Sequence, residues 1–250
     1  MAERGKSEYS QSVINALRLL GCFVEREERG ISELSRELGL SKSAVARIVA
    51  SLEDGRLLMQ NPETGKYRLG TGFLLYGSLV RERSELSRAL APALTQLAEE
   101  YQSTAHLAVL DGGELTIVNK VSAGPFVYMS SRIGGTLPIH ASATGKCILA
   151  WMSPERRREL IESAELRRYT ATTITSPAAL EAELSAIRER GYALDDGETH
   201  EGLFCIGCPV FDASGRVAAA VSVSGSRAAL ESRLGEVVAS IRNKLKDYGI

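Results

Sequence analysis

Three clusters of side chains in this sequence could do chemistry. The first is His140-Ala141-Ser142-Ala143-Thr144-Gly145-Lys146. Ser142 is suited to cap a helix, which puts Ala143, Thr144 and Gly145 in the first turn, where amides lack intrahelical acceptors and carry the positive dipole end. Such amides make a small anion site suited to a carboxylate; a capped helix with no ligand fits the same residues. The GxxxxGK[ST] spacing of a phosphate loop is absent. Lys146, near the helix start, opposes the dipole and calls for an acid or the ligand as partner. The second cluster is Ser222 and Ser224, which strand alternation puts on one face, with Val217, Val221 and Val223 on the other. Two hydroxyls on an otherwise apolar strand need a hydrogen-bond partner, which a polar ligand or a backbone turn would supply. The third is Cys205-x-x-Cys208. On a strand, Leu203 and Cys205 take one face and Ile206 and Cys208 the other, so the two thiols do not converge. There is no second CxxC and only His200 is near, so neither a metal nor a redox cofactor is expected. Cys205, His140 and Asp195 could be assembled on paper as a nucleophilic triad, but no nucleophile elbow or other local catalytic motif accompanies them. An enzyme using Cys205 or His140 stands as the alternative to a binding protein.

A different chemistry is written into residues 31–69. The spacing predicts a helix over 31–38 with Ser32 as N-cap and Glu33 in its first turn, ended by Gly39. Ser41 caps a second helix that carries Val45, Ile48, Val49 and Leu52 at helical spacing and is stopped by Gly55. Its open face holds Lys42, Ser43, Ala46, Arg47 and Ala50, small and basic side chains able to approach a DNA major groove. Two short strands follow, 57–60 and 66–69, around the turn residues Asn61, Pro62 and Gly65. They form a wing that places Lys66 and Arg68 for phosphates. A bland three-helix bundle, serving only for dimerisation, is the competing reading of this region.

The whole chain sets the limits. It has 250 residues and a formal net charge of −1, so DNA binding cannot rest on bulk charge. From Ser41 to Arg68 the bases Lys42, Arg47, Arg56, Lys66 and Arg68 outnumber the acids Glu53, Asp54 and Glu63 only slightly. Modest affinity per module and a dimer are therefore expected. No apolar run approaches a membrane span, the N-terminus lacks an apolar signal core, and four scattered cysteines do not form a disulfide framework. A reducing cytoplasm is the expected compartment.

The elements that must position these groups can be read along the chain. From Ser10 an amphipathic helix carries Val13, Leu17, Leu20, Phe23 and Val24 and runs into the charged stretch before Gly30, with Asn15 and Arg18 outward and residues 25–29 a solvated helix end. After the wing, residues 71–84 form a connecting helix with Phe73, Leu74, Tyr76, Leu79 and Val80 apolar, packing on a partner chain or on its own domain. A new helix runs to Tyr101 with Pro92 inside it, a place for a kink. Strands are expected at 104–110 and 114–121 around Asp111-Gly112-Gly113, at 126–131, at 193–195, and at 203–211 and 216–223. The GGTLP stretch before the Ser142 helix reads as loop. Further helices are expected at 154–163, 177–191 and 228–248. This order gives an α+β fold with an antiparallel sheet, and domains at 1–70, 71–84 and 85–250.

At these residues the sequence resembles the IclR family of bacterial transcriptional regulators. LPIHASATGK is similar to the family's LPxHxTAxGK signature, GYALDDGETHEGLFCIGCPVFDASGRVAAAVSVSG to its C-terminal strand signature, and LSKSAVARIVASLE to its recognition helix. The resemblance implies a winged helix-turn-helix, a linker helix and a GAF/PAS-like effector-binding domain. It also implies operator binding as a dimer or dimer of dimers, most often as a repressor, under control of a small metabolite, commonly an organic acid. By the same resemblance the acid lies against the amides of Ala143 and Thr144. Asp195, Cys205, Ser222 and Ser224 line the polar part, and Phe126, Met129, Leu137 and Leu203 form the apolar wall. Thr144 and Phe126 depart from common family choices, so the effector cannot be copied from a relative.

Overall fold

The computed structural model describes residues 9–124 and 131–247. The chain divides into two compact units, 1–83 and 84–250, each described by itself.

The first unit opens with α1 (Gln11–Gly21), α2 (Ile31–Leu38) and α3 (Lys42–Asp54). Leu19, Phe23, Leu34, Leu38, Val45, Val49 and Leu58 form its core. Two expectations need correction here. Helix α1 stops at Gly21, and it buries Leu19 while Val13 and Leu17 stay 56% and 63% exposed. Val24 is exposed as well. The bundle takes the Leu19/Phe23 side of α1, so the apolar residues one turn earlier are left for something else. The N-cap of α2 is Gly30, not Ser32. Glu33 reaches back to accept the Gly30 amide at 3.1 Å, the acidic half of a capping box, which needs no serine.

Strands β1 (Leu58–Gln60) and β2 (Tyr67–Leu69) form the wing. The charged stretch before Gly30 is more than a solvated end. Arg29 exchanges both backbone hydrogen bonds with Tyr67, at 2.9 and 2.8 Å, adding a third short rung to the wing. Its buried guanidinium pairs with Glu37 at 2.8 Å. Glu28 accepts from Asn61 and Thr64 at 2.6 and 3.0 Å, clamping the wing turn. Helix α4 (Gly72–Arg83) closes the unit with no buried residue; Leu74, Leu75, Tyr76 and Val80 are all exposed.

Among the described residues the second unit holds a six-stranded antiparallel sheet, ordered β5-β4-β3-β8-β7-β6. Its strands are β3 (Thr104–Asp111), β4 (Glu114–Ser122), β5 (Thr136–Leu137), β6 (Ala193–Asp196), β7 (Leu203–Phe211) and β8 (Val217–Ser226). One of the two described edge strands is Thr136–Leu137, inside the stretch expected to be loop. The strand expected at 126–131, like Phe126 and Met129, falls outside the described residues except for Ser131. One face packs on α5 (Glu85–Tyr101) and α10 (Leu234–Asp247) through Leu90, Leu94, Leu97, Phe204, Ile206, Val221, Val223 and Ile241. The other packs on α6 (Ala143–Trp151), α7 (Pro154–Ser163) and α8 (Pro177–Arg190) through Ile148, Leu149, Leu160, Leu180 and Leu184. The closing helix is not continuous: α9 (Arg227–Leu230), capped by Ser226, and a 3-10 turn at Glu231–Arg233 precede α10. Pro92 is accommodated within α5, on the helix's exposed side.

The face assignment on β7 holds: Cys208 packs with the α5/α10 side and Cys205 with Leu203 and Ala143 on the other. Val217 does not stay with Val221 and Val223. The register slips between Val210 and Phe211, pairing Phe211 with Val217 and skipping Ala218. Such a bulge inverts side-chain parity beyond it, and Val217 turns to the α6/α8 side.

Candidate DNA-facing helix and ligand cavity

Ser41 accepts the Ala44 amide at 3.2 Å and starts α3. Val45 and Val49 point inward. Ser41, Lys42, Ser43, Arg47 and Ala50 are exposed, and Ala46 is half-buried. Among the described residues neither Lys42 nor Arg47 has an ion-pair partner, so their charges are free for an outside anion. On the wing, Arg68 is exposed, while Lys66 lies 3.4 Å from Glu33 with both half-exposed. A contact of that kind is worth little.

In the second unit Ser142 accepts the Gly145 amide at 3.2 Å and donates to Pro138 O at 2.8 Å. All residues of α6 from Ala143 to Ala150 are buried. Two glycines permit this depth. A Cβ at Gly145 would stand 2.3 Å from Ile139 O, and one at Gly207 about 3.0 Å from the Ala143 backbone. The helix start is thereby pressed against β7.

A cavity of about 50 Å³ opens there, lined by His106, Leu137, Ser142, Ala143, Thr144, Asp195, Thr199, Leu203, Cys205, Ser222 and Ser224. Eight of these are residues that the family resemblance places at the effector site: Leu137, Ala143, Thr144, Asp195, Leu203, Cys205, Ser222 and Ser224. Sheet register brings them together, because Cys205 sits opposite both Asp195 and Ser224, and His106 opposite Ser222. The amides of Ala143 and Thr144 donate to no acceptor among the described residues. The buried Thr144 hydroxyl has no partner there either. A buried polar group without a partner is costly, so these three donors could be satisfied by acceptor atoms of a ligand.

Asp195 is held by the amides of Glu198 and Thr199, at 2.8 and 3.1 Å, and by the Thr199 hydroxyl. Burial nevertheless pushes its carboxyl above the ordinary range. Lys146 finds its partner in Glu198, an ion pair in which the lysine is 1% exposed. Burial pushes the Glu198 carboxyl up to about 7. His106 approaches Ser131 Oγ at 3.1 Å and Ser224 Oγ at 3.5 Å. Burial, aided by the Lys120 charge, pushes it down to about 4, so it is neutral at physiological pH.

His106 and Thr199 on the cavity wall, and Glu198 behind it, were not anticipated. His106 carries the same signal as the two serines, a polar residue at an inward position of an apolar strand; the other two depend on a loop fold that no local pattern encodes. The paper triad does not form. His140 meets Arg167 O at 3.0 Å and is absent from the cavity wall, and burial raises the Cys205 thiol well above its ordinary range, away from the nucleophilic thiolate. Leu203 borders both the cavity and a larger cleft of about 240 Å³ that includes Thr170, Thr172, Gly197, Gly202 and Arg227.

The family model for the bacterial transcriptional regulator IclR C-terminal domain matches residues 79–248, and the IclR helix-turn-helix domain matches 12–62. The chain belongs to the IclR family. It is 36% identical over 242 residues to the HTH-type transcriptional regulator XynR of Escherichia coli K12, covering 96% of this chain and 94% of that one. It is 34% identical over 218 residues to the transcriptional repressor IclR of the same strain, covering 86% and 80%. Among solved structures it matches an IclR homolog from Microbacterium hydrocarbonoxydans complexed with 4-hydroxybenzoate, with TM-score 0.78, 27% identity, and 95% and 100% of the two chains covered. The IclR-family fold therefore joins a helix-turn-helix unit to a GAF-like antiparallel sheet, and the chain is a transcriptional regulator rather than an enzyme. No described helix is long and apolar enough to cross a membrane.

Proposed function

We propose that this IclR-family regulator is a ligand-controlled repressor that binds operator DNA as a dimer or dimer of dimers and senses a small carboxylate. Residues 1–70 bind DNA, 71–84 link, and 85–250 sense. The observation that carries the sensing half is the buried Thr144 hydroxyl, without a partner among the described residues, beside the two open amides of Ala143 and Thr144. A carboxylate supplies acceptors to all three, and Ser222, Ser224 and His106 remain for a hydroxyl or keto oxygen. The Microbacterium relative's complex with 4-hydroxybenzoate supports an acid of this class. The cavity's volume of about 50 Å³ suits an acid of two or three carbons, since one water needs about 10–15 Å³ on this scale. A ring-sized acid requires Leu137 and Leu203 to move, and Leu203 is also the way in from the outer cleft.

The DNA half is supported by the free charges of Lys42 and Arg47 on a helix face of small side chains. Dimerisation is supported by the apolar residues that the first unit leaves uncovered: Val13 and Leu17 on α1, and Leu74, Leu75, Tyr76 and Val80 on α4. Two recognition helices then read two half-sites. The ligand shifts the population between DNA-competent and incompetent states, which requires that it bind the two with different affinity. The test is a thermal-shift screen of the full chain against small carboxylates, with any hit repeated on the Ser222→Ala/Ser224→Ala double variant. A ligand at a hundredfold excess over its Kd adds about 2.7 kcal/mol of stability. A stabilising acid whose effect survives in the double variant would remove the cavity assignment.

A further inference from the structure

We propose that the cavity takes up one proton together with its ligand, and for that reason accepts monocarboxylates in preference to dicarboxylates. This rests on the carboxylate reading above. The argument starts from the buried charges. The buried charged groups around the cavity are one ammonium, Lys146, and two carboxylates, Asp195 and Glu198, with a formal sum of one negative charge; Lys120, whose charge reaches His106, is only half-buried and donates to Ser131 O at 2.8 Å. None of the described lining side chains is Lys or Arg, and the sequence from 125 to 130 contains neither. Lys146 is committed to Glu198. His106 is the one imidazole on the described wall, and burial holds it neutral. A carboxylate docking on the Ala143 and Thr144 amides therefore enters a low-dielectric site whose buried charges already sum to a negative and whose described lining holds no Lys or Arg. Amide dipoles stabilise one anionic group, but they do not cancel its repulsion with the two acids.

The structure assigns a place for the compensating proton. One carboxylate oxygen of Glu198, Oε1, meets Lys146; the other, Oε2, is buried with no partner among the described residues. Asp195 is less suited, since both of its oxygens already accept donors that favour the ionised form. Other groups around Glu198 do not supply a cation. Thr170 and Thr173 bind its backbone carbonyl. Glu183, on α8, is tied to Arg190 at 2.6 Å and adds only negative potential. His140, which feels Lys146, is itself pushed below its ordinary range by burial. A carboxylate in the cavity adds to the negative potential and draws a solvent proton onto Glu198 Oε2. Lys146 then serves as countercharge to ligand and Asp195 together, and the buried charge stays at one negative. A second carboxylate in the cavity would have no such compensation.

The experiment is isothermal titration calorimetry on the full-length protein, with pyruvate, glyoxylate and 4-hydroxybenzoate as monocarboxylate probes and malonate as the dicarboxylate. Each monocarboxylate is titrated at pH 7.5 in phosphate and in Tris, whose ionisation heats differ. The expected result is uptake of about 0.5–0.8 proton per site, with affinity falling up to about tenfold per pH unit above neutrality. Malonate should bind at least about tenfold more weakly than pyruvate, because its second charge is uncompensated. In Glu198→Gln, where an amide replaces the protonated acid, monocarboxylate binding should persist with no buffer dependence and a flat pH profile. Equal heats in the two buffers with a flat wild-type profile, or malonate binding as tightly as pyruvate, would overturn the proton-linked site while leaving the carboxylate site standing. If no monocarboxylate binds folded wild-type protein, the carboxylate reading itself fails, and this inference with it. The wild-type measurements decide the matter even if the variant does not fold.

Discussion

Helices α3 and α6 are both opened by a serine whose hydroxyl accepts the amide three residues on, Ser41 from Ala44 and Ser142 from Gly145, each at 3.2 Å. From that common start they diverge. Helix α3 buries only Val45 and Val49 and turns Lys42 and Arg47 to solvent. Helix α6 is buried throughout from Ala143 to Ala150, its one cation locked to Glu198. On the proposed function the same cap serves two kinds of anion recognition. An exposed helix offers mobile, fully solvated cations, suited to a large polyanion whose bound counterions can be released. A buried helix offers fixed amides in a space that excludes water, suited to one small acid. Placing a cation in each context has different costs, and that difference can be measured.

The largest expected effect comes from the cations. Lys146→Met leaves Glu198 buried and unpaired and should lower stability by about 3–5 kcal/mol, whereas Lys42→Ala should stay within about 0.5 kcal/mol. The single tryptophan, Trp151, lies at the end of α6, so the urea midpoint of its fluorescence follows the second unit and reads Lys146→Met, while far-UV circular dichroism of the helical first unit reads Lys42→Ala. A small effect of Lys146→Met would erase the contrast.

Next in size is pH. His106 is pushed down to about 4, so its contribution to stability is present above pH 6.5 and lost as the pH falls towards 4. Glu198 is pushed up to about 7, so its contribution is present below pH 4.5 and lost as the pH rises through 7. In the wild type these slopes oppose one another between pH 4.5 and 6.5. His106→Gln should expose the Glu198 slope, and Glu198→Gln the His106 slope, each about 3 kcal/mol in full. Trp151 unfolding curves at pH 4.5, 5.5 and 6.5 test this; parallel behaviour of the two variants would contradict it.

Arg47→Ala should weaken operator binding by about 1–3 kcal/mol with unchanged folding, read by fluorescence anisotropy on labelled operator at fixed salt. Undiminished binding would remove α3 as the reading helix. The smallest effects belong to the caps. Ser41→Ala should cost about 1 kcal/mol. Ser142→Ala should cost more, because its hydroxyl also serves Pro138 O, and it should abolish the response to a bound acid. Equal costs would mean that burial adds nothing to the cap.

Both caps were legible because they are written in four consecutive residues, and so were the wing and the strands at 104–111, 114–122, 193–196, 203–211 and 217–226, whose apolar spacings and turn residues are equally local; the two-residue strand Thr136–Leu137 is too short to leave such a pattern. Alternation along β7 and β8 was enough to put Cys205, Ser222 and Ser224 on one side. It failed at Val217, where a single bulge inverted the parity, and in α1, where two apolar faces were available and the bundle chose the one carrying Leu19.

The sequence by itself determined which helices begin at Ser41 and Ser142, which side chains α3 presents, and which amides of α6 lack an intrahelical acceptor. These follow from chemistry within one helical turn. Only the tertiary structure decided that Lys146 pairs with Glu198, 52 residues away, that His106 joins the serines, and that Thr144 has no partner among the described residues. The partner of a buried charge is set by which distant segments share its low-dielectric space, and that is a property of the folded chain.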